Sequence, residues 1–79
     1  MLPAYVLVQT EVGMAAKVAE QLARIAGVVS AEVTAGPYDV MVRAETADLD
    51  ELGRLVVAKI QGAEGVTRTL TCPVVVLGS

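Results

Sequence analysis

Two short stretches, Ile25-Ala26-Gly27-Val28-Val29 and Ala63-Glu64-Gly65-Val66-Thr67, do the same thing. Each carries the chain out of an amphipathic helical pattern, through Gly-Val, into a β-branched run. This repetition within 79 residues limits the available folds more than any other feature. It divides the sequence into two strand–helix–strand halves, each with its own glycine stop between helix and strand.

The elements follow from hydrophobic period. Residues 4–10, Ala-Tyr-Val-Leu-Val-Gln-Thr, read as a strand with no polar alternation before Gln9, so both faces should be covered. Residues 12–26 switch to a helical period. Ala15, Val18, Ala19, Leu22, Ile25 and Ala26 share one face, while Lys17, Glu20, Gln21 and Arg24 share the other. Thr10 is the expected N-cap, Glu11 suits the positive end of the helix dipole, and Gly27 ends the helix. Residues 28–34 form a second strand. The Ala35-Gly36-Pro37 break then leads into a third, residues 38–44, giving a hairpin. Asp48 opens a second helix, and Glu51 three residues later completes a capping box with Asp in the Ser/Thr place. Leu49, Leu52, Leu55, Val56 and Ile60 line its inner face. Val57 stands among Asp50, Arg54 and Gln61, which marks part of the outer face for a partner. Residues 66–77 form the last strand, with Thr67, Thr69 and Thr71 alternating with Arg68, Leu70 and Cys72. Pro73 cannot donate to a ladder and marks an edge, a bulge or a strand end. The apolar run at 74–77 is expected between subunits.

The order is β-α-β-β-α-β, one domain over residues 1–79 with no linker. This is the α+β, ferredoxin-like plait: one four-stranded antiparallel sheet with both helices on one face. Its strands are apolar on both sides, so the uncovered face should be closed by a second copy, sheet against sheet in a dimer, with larger rings open to it. The chain is 54% hydrophobic, more than a small monomer can bury, which points the same way.

Charge and cysteine usage exclude whole classes of function. With six Lys and Arg against nine Asp and Glu, the net charge is −3, and the chain has no basic footprint for direct nucleic-acid binding. No apolar run is long enough to span a membrane, and the N-terminus lacks the basic region of a signal peptide. The single cysteine, Cys72, has no internal partner, which fits a reducing cytoplasm. It reads as a small buried hydrophobe. The absence of His removes the commonest general base and transition-metal ligand. Neither a metal site nor a cofactor is expected, and no catalytic constellation stands out.

The candidate chemistry is sparse. Gly36-Pro37-Tyr38-Asp39 is either a plain hairpin turn with a solvated carboxylate or a ligand-holding turn. In the second case Asp39 would meet an ammonium group, and free N–H groups would take a carboxylate. Thr69 and Thr71 share one side of their strand, either as ordinary strand filling or as paired hydroxyls facing a small polar pocket. Arg43 lies on the same side of its strand as Asp39, as an ion-pair partner or a carboxylate anchor.

Three pieces in order carry a family resemblance: Thr34-Ala-Gly-Pro-Tyr-Asp-Val-Met-Val-Arg, then Asp48-Leu-Asp-Glu-Leu, then Gly65-Val-Thr-Arg-Thr-Leu-Thr. Over residues 4–77 the chain resembles the effector-binding (RAM) domain of the Lrp/AsnC, or feast/famine, transcription regulators. Ala35, inserted between Thr34 and Gly36, departs from the family's Thr-Gly-x-Tyr-Asp pattern. The resemblance implies a βαββαβ domain that dimerises through its sheets, assembles further, often to octamers, and binds free amino acids in clefts between subunits. Carried over by position, the ligand-binding residues would be Gly36, Tyr38, Asp39, Thr69 and Thr71. Gly36 and Tyr38 would supply backbone groups and shape. Asp39 would take the ammonium or orient neighbouring donors, and the two threonines would supply hydroxyls.

Family members typically carry an N-terminal helix-turn-helix domain. This sequence opens a few residues before its first strand and so resembles the effector domain in stand-alone form, acting on itself or with full-length relatives. The resulting expectation is a cytoplasmic amino-acid effector-binding and oligomerisation module without catalysis. The alternatives are a purely structural module co-assembling with full-length regulators and a small dimeric ferredoxin-like monooxygenase. The latter is disfavoured by the lack of His, Trp and Phe. An ACT domain shares the topology, but the turn at 36–39 favours the first family.

Overall fold

The computed structural model describes residues 1–78. The elements run β1 (Leu2–Thr10), α1 (Ala15–Ala23), β2 (Val28–Val33), β3 (Val40–Thr46), α2 (Leu49–Arg54) and β4 (Val66–Pro73). The second helix continues beyond Arg54 as a π-helical segment, Leu55–Ile60. All strand pairs are antiparallel, and the sheet order is β2-β3-β1-β4. This is the ferredoxin-like plait expected from the repeated strand–helix–strand pattern.

Strand alternation then sorts the side chains. Ala4, Val6 and Val8 of β1, with Val40, Val42 and Ala44 of β3, point toward the helices and are buried. They meet Val18 and Leu22 of α1 and Leu52, Leu55, Val56 and Ile60 of the second helix. No aromatic ring enters this core. Small, β-branched residues on the two central strands let the helices lie close to the sheet. The opposite face carries Tyr5, Leu7, Met41, Arg43, Leu70 and Cys72, placed side by side by the registers Tyr5↔Arg43, Tyr5↔Cys72, Leu7↔Met41 and Leu7↔Leu70. No described element of the protomer covers it.

The two Gly-Val junctions are structurally equivalent. Gly27 and Gly65 both have positive φ, +96° and +93°, a conformation that side chains other than glycine rarely adopt. Each carbonyl receives an N–H from the end of a strand: Glu45 N donates to Gly27 O, and Glu11 N donates to Gly65 O, both at 2.8 Å. Each also packs against the other half's helix. A Cβ on Gly27 would lie 3.3 Å from Leu55 Cδ2; on Gly65 it would lie 2.9 Å from Met14 Cε and 3.0 Å from Val18 Cγ2. The repeat in sequence is thus a repeat in backbone geometry and in packing.

Several expectations need correction. α1 starts at Ala15 rather than near residue 12. Thr10 stays in β1, and Met14 is the N-cap without a side-chain bond. The cause is the turn before the helix, where Gly13 has φ +81° and Met14 N donates to Glu11 O. β3 begins at Val40, not at residue 38, so Tyr38 and Asp39 belong to the preceding loop. β4 ends at Pro73 instead of continuing to 77. Leu49 is not on the inner face; it is 63% exposed, close to the 66% of Val57. The capping box does form, shifted by one residue. Asp48 Oδ1 accepts Glu51 N–H at 2.8 Å, but Glu51 Oε1 accepts from Ala47 N, at 3.2 Å.

Gly65→Ala forces both an unfavourable φ and a contact below 3.0 Å, and should lower stability by about 1–3 kcal/mol in urea denaturation. Gly36→Ala, where a Cβ would meet nothing within 4 Å, should change stability by no more than about 0.5 kcal/mol.

Candidate functional site

The loop at residues 34–39 is held from two sides. Thr34 closes it on itself: its N–H donates to Asp39 O and its hydroxyl to Tyr38 O, each at 2.9 Å. β1 anchors it, with Asp39 N donating to Val8 O and Gln9 Nε2 to Pro37 O, again at 2.9 Å. The shortest tie is the Asp39 carboxylate, whose Oδ2 accepts Thr10 N–H at 2.8 Å. Asp39 therefore fastens the loop to the last residue of β1, where the strand would otherwise leave a part-buried N–H without a partner. Gly36 is exposed, and Tyr38 and Asp39 are half-buried. The N–H groups of Gly36 and Tyr38 donate to no backbone carbonyl among the described residues, so they stand outside the fold's own ladder.

Thr69 and Thr71 do share one side of β4, as their spacing requires. That side is the helix side: Thr69 lies opposite Val8 and Thr71 opposite Val6 in the ladder. Gln61 Nε2 donates to Thr69 Oγ1 at 3.0 Å, linking the end of the second helix to β4. Thr69 lines a groove of about 350 Å³ with Gln61, Thr67 and Arg68. Thr71 lines another of about 310 Å³ with Leu49, Gly53, Val57 and Pro73.

Within one protomer these five residues do not converge. β1 separates the loop from β4, and Gly36, Tyr38 and Asp39 line none of the four main grooves among the described residues. Two neighbouring residues also stand differently from expectation. Arg43 does not pair with Asp39. The register places it opposite Tyr5, where its Nη1 donates to the Tyr5 hydroxyl at 3.0 Å and its guanidinium lies 5.5 Å from the ring centroid. Cys72 is not buried but exposed, on the uncovered face beside Tyr5. Sequence reasoning missed Thr34 and Gln9, which shape the loop. Thr34 carries a local signal, a hydroxyl four residues before the carbonyl it bonds; Gln9 depends on a contact 28 residues away.

Among the described residues there is no cluster of His, Cys, Asp and Glu able to hold a metal ion. Among them, too, no helix is long and apolar enough to cross a membrane. The protomer is thus a plait with one bare sheet face and a loop tethered at the end of its central strand. Comparison with known proteins gives the family. A model described as the Lrp/AsnC ligand binding domain matches residues 3–76, and the chain belongs to that family, whose members are transcriptional regulators and not enzymes.

An uncharacterised HTH-type transcriptional regulator of Pyrococcus horikoshii is 38% identical over 55 residues, 70% of this chain and 37% of the relative. The chain thus spans well under half the length of the curated relatives it matches. The crystal structure of TTHA0845 from Thermus thermophilus superposes with a TM-score of 0.92 at 28% identity, covering 100% of this chain and 99% of that one. The Neisseria meningitidis transcriptional regulator NMB0573, solved as an L-Met complex, shares the fold alone: TM-score 0.84 and 19% identity over 96% of this chain and 51% of that one.

Removing the Asp39 carboxylate should be felt in folding as well as in any ligand. Asp39→Ala leaves the Thr10 N–H without its charged acceptor and should cost about 1–3 kcal/mol in chemical denaturation. Asp39→Asn keeps an acceptor oxygen and should cost less than Asp39→Ala in the same measurement.

Proposed function

We propose that this domain is an amino-acid effector-binding and assembly module of transcription regulation, working in the cytoplasm, with its ligand site completed only between subunits. The observation that carries the reading is the separation of the five site residues within one protomer, together with a sheet face that nothing described in the protomer covers. A second copy laid on that face would bury Leu7, Met41 and Leu70, three neighbouring apolar side chains. Further contacts between such dimers would bring one copy's loop at 34–39 toward another's surface. There the free N–H groups of Gly36 and Tyr38 suit a carboxylate. Asp39, already committed to Thr10 N–H, acts chiefly by orienting the loop, its remaining oxygen being the acceptor for an ammonium group. Thr69 and Thr71 supply hydroxyls on the β4 side. The L-Met bound by the Neisseria regulator supports a free amino acid as the class of effector. A ligand that bridges subunits shifts the population toward the assembly that holds it.

The engagement of Asp39 by the protein's own backbone favours a second reading, an assembly module that pairs with full-length regulators and leaves the cleft unoccupied.

Thermal unfolding in the presence of each of the twenty amino acids, with mass measured alongside, distinguishes the two. Saturation at 100 times Kd stabilises by about 2.7 kcal/mol and should raise Tm on the order of 10 °C for a domain this small. A rise confined to one chemical group of amino acids is the expected result. No rise for any of them sinks the effector reading and leaves the assembly module.

For the sheet-paired dimer the test is Leu70→Lys. Leu70 is 47% exposed in the protomer, so the protomer should tolerate the lysine while the bare face no longer pairs. The expected result is a folded species whose assembly mass by light scattering falls below that of the parent chain.

A further inference from the structure

We propose that the apolar tail at residues 74–77 of one copy lies in the groove between α2 and β4 of a second copy, and that the exchange is reciprocal. The groove, about 310 Å³, is walled by Leu49 and Val57 on the helix and by Thr71 and Pro73 on the strand. Its floor is open at Gly53, where even a Cβ would meet nothing within 4 Å. Leu49 and Val57 remain 63% and 66% exposed, so the protomer itself leaves these walls wet. The tail that emerges at the groove's lip is Val-Val-Val-Leu, and Val75, Val76 and Leu77 are 74%, 75% and 85% exposed. Two unsatisfied apolar surfaces of matching chemistry thus adjoin each other on one chain.

The chain's own tail is badly placed to fill its own groove. Val74 N donates to Pro3 O at 2.9 Å, which continues the β4–β1 ladder beyond Pro73 and sends the tail onward in the strand direction. Filling the groove would require it to reverse at once and run back past Pro73 and Thr71, and the three apolar residues that remain span only about 10 Å when extended. A second copy meets no such obstacle. A two-fold axis near Pro73 sets the two chains antiparallel, so that each tail continues outward into the other's groove. The contact is then self-complementary and closed. β4 is an edge strand in the sheet order, so its outer side is free to receive the partner. This contact uses the helix side of the molecule and not the bare sheet face. It goes beyond the proposed function and does not depend on it, and together the two contacts would build assemblies larger than a dimer.

The test uses the full chain with Cys72→Ser as background, which removes the native thiol. Val57→Cys and Val76→Cys are made in separate chains, mixed and mildly oxidised. The expected product is a mixed disulfide dimer at least about ten times more abundant than that from a control mixture of Val12→Cys with Val76→Cys. Val12 is fully exposed just beyond the end of β1. Val57→Lys, or Leu49→Lys should the first fail to fold by circular dichroism, should raise the dissociation constant of the assembly at least about ten-fold in sedimentation. Crosslinking no better than the control overturns the proposal, as does ring closure within single chains carrying both cysteines. An unchanged dissociation constant in a folded groove variant does the same. The crosslink should persist when Leu70→Lys is added, which separates failure of this contact from failure of sheet pairing.

Discussion

A four-stranded sheet has two faces, and two helices of this length cover one of them. Everything distinctive about the molecule follows from that shortfall. The central strand β1 is largely apolar on both sides, yet from β1 and β3 only Ala4, Val6, Val8, Val40, Val42 and Ala44 join the apolar core. Leu7 lies between Met41 and Leu70 on the other side with no cover. Around them Arg43 lies against Tyr5, and Arg68 and Gln9 face each other across the ladder. This gives the bare face an apolar centre and a polar margin, the anatomy of an interface. A domain this small gains little from its own core, so burying this face in the proposed sheet-paired dimer would add to the stability of the fold.

The loop at 34–39 is the other organising element. Its position is set from β1, through Val8 O, the Gln9 amide and Thr10 N–H. β1 is also the strand on which β4 is built. The loop and the Thr69–Thr71 side are therefore mounted on opposite edges of one rigid strand. They keep a fixed relation to each other without touching, which suits a site that takes its remaining walls from another subunit.

Much of the fold was legible because the signals were local. Period-2 and period-3.6 runs gave the order of elements, and Gly27 and Gly65 marked the turns into β2 and β4, although the helices themselves end earlier, at Ala23 and Ile60. Asp48 and Glu51 formed the expected capping pair, with one bond displaced to Ala47. What escaped depended on distant partners. Thr10 has the chemistry of an N-cap, but a carboxylate 29 residues away holds it in β1. Arg43 shares a strand side with the Asp39 position, but the cross-strand register gives it Tyr5 instead. Cys72 is small and apolar like its neighbours. Its exposure follows from alternation on a strand whose outward face is bare, a fact about what the protomer lacks. The π-helical turn at Leu55–Ile60 has no signature in the residues themselves. As for the five site residues, the cleft expected for them lies between subunits, and within one protomer they stand apart.

The ladder between β1 and β4 joins residues 4–10 to residues 66–73, the two ends of the domain. During synthesis β1 emerges before the other strands and remains without its second neighbour until nearly all of the domain has been made. Its pairing with β3 also waits for residue 46. The β1–β4 pairing is thus the last part of the sheet to close, after both helices exist, and until then the apolar β1 stays open on an edge. Such long-range closure slows folding and lengthens the interval in which a nascent chain can pair wrongly. Because the residues that complete the sheet immediately precede the apolar tail, synthesis completes the fold and exposes its stickiest segment at almost the same moment.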